Sequence, residues 1–266
     1  MNAHEIDYKI YGHDLQFVEI ELDPQESVVA EPGAMMMMDD GIVMNTIFGD
    51  GSNRESGLLG KLFSAGKRVL TGENLFMTAF TNNGLGKKHV SFSAPYPGKI
   101  IPIDLTLFNR RLICQKDAFL CAAKGVSIGI EFTKRLGAGF FGGEGFILQK
   151  LEGDGMAFIH AGGTLYERRL NHGEVLNVDT GSLVAFTSTV DYDIQYVGGI
   201  KNTLFGGEGV FYARMTGPGT VWVQSMPFSR LADRIIASAP SAGGSRRGEG
   251  GILGSIGDLI DGDNNF

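Results

Sequence analysis

Three stretches decide the reading of this chain: Thr71-Gly-Glu-Asn-Leu-Phe-Met-Thr-Ala-Phe80, Gly142-Gly-Glu-Gly-Phe-Ile-Leu-Gln-Lys-Leu151 and Gly206-Gly-Glu-Gly-Val-Phe-Tyr-Ala-Arg-Met215. Each is a Gly-Glu turn that feeds an apolar run of strand length. A Gly-x-Gly turn follows each one, at Gly84-Leu-Gly86, Gly153-Asp-Gly155 and Gly217-Pro-Gly219. Beyond it comes a second run with period-two patterning: Val90-Ser-Phe-Ser-Ala94, Met156-Ala-Phe-Ile-His-Ala161 and Thr220-Val-Trp-Val-Gln224. Alternation bounded by glycine turns is the mark of a hairpin. Glu73, Glu144 and Glu208 stand 71 and 64 residues apart, so the chain reads as three tandem copies of one strand-rich unit.

Working outward, Leu15 to Leu22, Lys99 to Leu105 and Gly163 to Leu170 are expected as the first strand of each copy. A second shared block is expected at Ser27 to Gly33, Asp117 to Gly125 and Glu174 to Gly181, each an apolar strand running into a glycine. The first copy carries an insertion that includes Leu58-Leu-Gly-Lys-Leu-Phe63 among glycines and serines. Pro227 to Ser238 breaks the β pattern, and Ser229 is placed to cap a short helix with Leu231, Ile235 and Ile236 on one side. From Ala239 the composition turns to Gly, Ser and Arg, which predicts a disordered tail. The expected division is 1–97, 98–161 and 162–236 for the three copies, the last including the helix, with a flexible tail at 237–266. The fold class is all-β.

Composition agrees. Gly accounts for 40 of the 266 residues, roughly twice ordinary usage, beside Asp, Asn and Pro in turn contexts. The formal charge is −7, and Lys/Arg clusters stop at pairs such as Lys87-Lys88, Arg110-Arg111 and Arg168-Arg169. A nucleic-acid footprint needs a basic face, so no nucleic-acid partner is expected. The opening residues lack a basic then apolar leader pattern, and no apolar stretch approaches the length of a membrane span, so a cytoplasmic location is expected. Cys114 and Cys121 form no Cys-x-x-Cys pair and are expected as free, buried thiols.

Several long stretches carry a family likeness: Ala30-Glu-Pro-Gly-Ala-Met-Met, Ala94-Pro-Tyr-Pro-Gly-Lys-Ile-Ile-Pro-Ile-Asp104, Cys114-Gln-Lys-Asp-Ala-Phe-Leu-Cys-Ala-Ala-Lys124, Phe141-Gly-Gly-Glu-Gly-Phe, Val190-Asp-Tyr-Asp-Ile and Gly198-Gly-Ile-Lys-Asn202. The sequence resembles the bacterial branch of the altered-inheritance-of-mitochondria family, a family of unknown function, from about Tyr8 to Ile236. The resemblance implies a double-stranded β-helix unit like that of the tryptophan RNA-binding attenuation protein, three per chain. It also implies a homotrimer closed into a ring of nine units. The mitochondrial relatives support inner-membrane organisation, and no catalytic reaction is established for the family.

Candidate functional residues are few. Glu73, Glu144 and Glu208 occupy equivalent turns and could meet cations or basic partners, although a carboxylate at a turn more often accepts backbone hydrogen bonds. His4, His13, His89, His160 and His172 are scattered without a His-x-His pair, so no metal or other cofactor is expected. His160 is expected as a partly buried, hydrogen-bonded imidazole. The glycines around Glu144 lack a following Lys-Ser/Thr and carry no phosphate-loop signal. Met35 to Met38 could form an adaptable contact surface, since flexible thioethers suit one, but is expected to be core. Leu58, Leu59, Leu62 and Phe63 are the candidates for surface contact. The expected function is a non-enzymatic ring-forming scaffold with itself and a protein or membrane-surface partner. The alternative is a small-molecule or metal-binding module with an unrecognised enzymatic activity.

Overall fold

The computed structural model describes residues 3–48, 76–134, 146–196 and 211–238. These hold nineteen strands and one α-helix, so the described chain is all-β apart from a short helical end. Met1–Leu231 form one compact unit, and Ala232–Phe266 group apart from it. No helix among the described residues is long and apolar enough to cross a membrane.

β1 (Asp7–Tyr11) precedes three successive sets of six strands. The first set is β2 (Phe17–Leu22), β3 (Ser27–Ala30), β4 (Met35–Met38), β5 (Ile42–Phe48), β6 (Phe76–Asn82) and β7 (Lys88–Ser93). The second is β8 (Gly98–Asp104), β9 (Arg111–Gln115), β10 (Phe119–Ala123), β11 (Ser127–Lys134), β12 (Phe146–Glu152) and β13 (Met156–Gly162). The third is β14 (Leu165–Leu170), β15 (Val175–Asp179), β16 (Leu183–Thr187), β17 (Asp191–Tyr196), β18 (Phe211–Thr216) and β19 (Gly219–Gln224), and helix α1 (Phe228–Ser238) follows.

The same four antiparallel pairings occur in every set. The sixth strand lies between the first and third, and the fifth between the second and fourth. The third strand is also irregular at one place in each set, between Met35 and Met37, Phe119 and Cys121, and Leu183 and Ala185. Among the named strands, neighbouring sets pair in one way: the second strand of one set pairs with the third strand of the next, β3 with β10 and β9 with β16. The result is two six-stranded sheets, β5-β6-β3-β10-β13-β8 and β11-β12-β9-β16-β19-β14, and two shorter ends, β1-β2-β7-β4 and β15-β18-β17.

Local chemistry explains the strands. In β2 the sequence Phe-Val-Glu-Ile-Glu-Leu sends Val18, Ile20 and Leu22 into the core and the alternate residues outward. β3 and β10 are buried along their whole length, as befits strands with neighbours on both edges and layers on both faces. Phe92, Phe119, Phe146, Phe158 and Phe186 are fully buried, each contributing about 2 to 3 kcal/mol of apolar burial. Gly219, with φ of +148°, turns the chain into β19 where an added Cβ would stand 2.4 Å from Thr187 Oγ1.

The structure rephases one expected alignment. The counterparts of Ser27–Ala30 are β9 and β15, because all three occupy the second-strand place, whereas Phe119–Ala123 is a third strand equivalent to β4 and β16. Both strands of the second set are apolar and end near glycine or a turn, so residue type alone does not separate them. The helix begins at Phe228, which puts Ser229 inside its first turn.

Candidate assembly interface

Among the described residues, β4 and β15 are the two strands whose counterparts all have a partner that they lack. β4 pairs with β7 along one edge, and β15 with β18 along one edge. The difference is written in exposure. Met36, Met37 and Met38 are 45%, 47% and 37% exposed, whereas Leu120, Cys121 and Ala122 of β10 and Val184, Ala185 and Phe186 of β16 are at 3% or less. On the other side, β15 exposes Val175 and Asn177, while β3 is wholly buried and β9 nearly so. The expectation that Met35 to Met38 is core is therefore overturned, since Met35 is half-buried and the other three are exposed. Among the described residues they lack the edge partner that β10 and β16 have.

Polar groups hold the end of β4 in position. Asp39 Oδ2 accepts a hydrogen bond from the His89 backbone N–H at 2.8 Å and lies 3.2 Å from its Nδ1, while His89 Nε2 is 3.2 Å from Glu21 Oε2. The His89 N–H holds the Asp39 carboxyl below its ordinary value, and the Lys87 ammonium does the same for Glu21. At the end of β15, Asp179 accepts from the backbone N–H and hydroxyl of Ser182 and lies 3.4 Å from the Arg230 guanidinium. Both edges are thus presented as formed strands. Among the described residues, each is bare along one side.

The interior holds titratable groups in their neutral forms. Burial, with help from Asp117, pushes the Glu31 carboxyl up to about 8. Burial pushes His160 down to about 4 and raises Tyr96, Cys114 and Cys121. His160 is 2% exposed, packs edge-on to Tyr96 with ring centroids 4.7 Å apart, and has no hydrogen bond at Nδ1. This corrects the expectation of a partly buried, hydrogen-bonded imidazole, because β13 runs through the middle of a sheet. Cys114 and Cys121 are free and buried, as their apolar setting suggests. Gln149 is fully buried with neither amide atom bonded. Among the described residues no three His, Cys, Asp or Glu side chains lie together as a metal could require.

Glu73, Glu144 and Glu208 fall outside the described residues, as do Leu58, Leu59, Leu62 and Phe63. The same holds for the expected flexible tail from Ala239 onward. What sequence reasoning missed is the pair of bare edges. A signal was present in β4, where four methionines replace the mixture of Ala, Cys, Val and Phe that its counterparts use, since flexible thioethers suit a surface that must adapt to another.

Comparisons with known proteins fit this architecture. The family model described as mitochondrial biogenesis AIM24 matches residues 8–226. An uncharacterized protein of Streptococcus pyogenes serotype M6 is 28% identical over 228 residues, which cover 85% of this chain and 87% of the relative. A crystal structure of a Streptococcus pyogenes protein superposes with a TM-score of 0.70 at 22% identity, covering 88% of this chain and 100% of that one, which is a likeness of fold.

Proposed function

The chain belongs to the mitochondrial biogenesis AIM24 family, and on that premise we propose that it is a non-enzymatic scaffold that closes head to tail into a homotrimeric ring. Each six-strand set is read as one double-stranded β-helix unit, with the units spanning 1–97, 98–161 and 162–236. The observation that carries the reading is the split sheet. Among the described residues the chain completes two six-stranded sheets and ends in two parts, β17-β18-β15 and β4-β7-β2-β1, which together have the strand order of a third with β1 added at the outer edge.

The internal junctions supply the register. Cys121 pairs with Ala30 and Ala122 with Val29, and one set later Ala185 pairs with Cys114 and Phe186 with Ile113. Carried one set further, Met37 of one protomer faces Val178 of the next and Met38 faces Asn177. Such a contact joins different surfaces of two copies, and it leaves no bare edge only when the rotation closes. Three chains of three units each give the ring of nine that the family resemblance implies. Within that ring, Leu58, Leu59, Leu62 and Phe63 are the proposed contact for a protein or membrane-surface partner, on the ground that they are apolar residues set among glycines.

The test is covalent. Met37→Cys combined with Val178→Cys places two thiols on facing strands within disulfide reach, and the native cysteines are buried away from them. Oxidation is expected to give chains linked two and three at a time on a non-reducing gel. Light scattering of the unmodified protein is expected to return three times the 28.6 kDa chain mass. A monomer across the micromolar range, with no crosslinks, would sink the ring.

A further inference from the structure

Where neighbouring sets meet, the turn from first to second strand of one set lies beside the turn from fifth to sixth strand of the next. Between the first and second sets this place is filled by the chain itself. The Ala3 N–H donates to Asp154 Oδ1 at 2.8 Å and the His4 N–H to the Lys124 carbonyl at 2.9 Å, while His4 Nδ1 accepts from the Ser27 N–H at 2.9 Å. Ala3 packs against the core, and its Cβ lies 2.4 Å from where a side chain on Gly155 would begin. Ile6 is buried. Residues 3–6 are thus seated across the junction.

The pairing pattern carries Ser27 to Arg111, Lys124 to Ser188, Asp154 to Pro218 and Gly155 to Gly219. At this equivalent place, between the second and third sets, there is an open groove of about 480 Å³. No described residue lies along it as residues 3–6 lie along the first. Its walls are residues 107–109, 169–172 and 218–220 with Thr187 and Thr189. Leu107, which is 76% exposed, and Phe108, packed edge-on to Trp222, give it an apolar side. Arg169 and His172 line it and no carboxylate does. Among the described residues neither side chain makes a hydrogen bond or ion pair, although the adjacent Arg168 is paired with Glu174 at 2.7 Å. An unpaired arginine in an acid-free groove is notable in a chain of net charge −7.

We infer that this groove binds a short, extended, acidic peptide segment. The filled junction shows that the place accepts a segment of chain, and the open one adds Arg169, His172 and an apolar wall, which together select acidic residues alternating with apolar ones. The groove lies within one chain, so its occupancy does not depend on ring closure and its test stands apart from that reading.

The probe is a fluorescently labelled hexapeptide of alternating Asp and Ile, followed by anisotropy against the full chain, with a Lys/Ile peptide as control. The acidic peptide is expected to bind and the basic one not to. Arg169→Glu is expected to weaken binding about tenfold and Arg169→Gln about threefold, with unchanged thermal melting because the side chain is exposed and unpaired. Absence of binding at millimolar peptide, equal binding of both peptides, or an affinity untouched by Arg169→Glu would overturn the inference. If citrate alone displaces the peptide at matching concentration, the groove is a small-anion site and the peptide reading fails.

Discussion

The junction of β3 with β10 and the bare edge of β4 are one place in the unit under two conditions. In the first, Cys121 and Ala122 sit between two strands and are wholly buried; in the second, Met37 and Met38 have a strand on one side and are about half exposed. The residues differ as the conditions do. Small side chains fit the permanent junction, where two chain segments folded together can pack closely. Long thioethers occupy the edge, where an adaptable surface can meet a separately folded partner. The difference teaches that a strand's place in a repeating pattern does not determine its environment. Its neighbour does.

Substitution can break that comparison most sharply on the buried side. Ala122→Asp places a carboxylate between Val29 and Ala157 with no partner, and a cost of at least about 4 kcal/mol is expected. The outcome is loss of cooperative unfolding in urea, or insoluble protein. Met37→Asp makes the equivalent change on the edge, where the isolated chain tolerates it in solvent. There the far-UV signal and single-chain fold are expected to persist while self-association weakens more than a hundredfold, read by light scattering against concentration. If Met37→Asp unfolds the chain, or leaves its mass unchanged, the two places do not differ in the way their exposure implies.

An effect that depends on pH sharpens the same contrast at the end of β3. Glu31 follows that strand directly and donates its N–H to the Leu120 carbonyl at 3.1 Å. Its folded-state pKa of about 8 lies above the unfolded value of 4.5, so the protonated folded form is favoured and the contribution is full below about pH 4.5. That contribution is lost as pH rises from there through 8. Glu31→Gln keeps the shape, matches Gln115 at the equivalent place at the end of β9, and removes the titration. It is expected to stabilise the protein by about 4 kcal/mol at pH 8 relative to the parent, with little difference at pH 4. His160 works in the opposite window: its folded value of about 4 lies below the ordinary 6.5, so its contribution is present above pH 6.5 and falls away as pH drops toward 4. Denaturant midpoints from pH 4 to 8 separate the two.

Much of the fold was legible in order. The glycine turns and alternating runs around Glu73, Glu144 and Glu208 announce pairs of strands, and β12, β13, β18 and β19 fall where the spacing puts them. The expected hairpins do not form: the two strands joined by each glycine turn enter different sheets, β12 beside β9 and β11 and β13 beside β8 and β10, because the turn carries the chain from one layer to the other. The second shared block was misphased because β9 and β10 are both short, apolar and five residues long. The candidate interface was legible only as an unusual run of methionines, with nothing to say that they lie on an edge. Four consecutive methionines have no period, and nothing local tells a covered strand from a bare one.

By itself the sequence determined strand content, turn positions and the threefold recurrence, because these rest on backbone preference and on contacts a few residues away. The tertiary structure decided which strand meets which, that β3 takes β10 and β9 takes β16, and hence that β4 and β15 are left over. The physical reason is that hydrogen-bonding edges between sets join residues some 90 or more positions apart in β3 and β10, and their pairing depends on how whole sheets assemble. Exposure of Met36 to Met38 is a consequence of that assembly, and no stretch of chain around them encodes it.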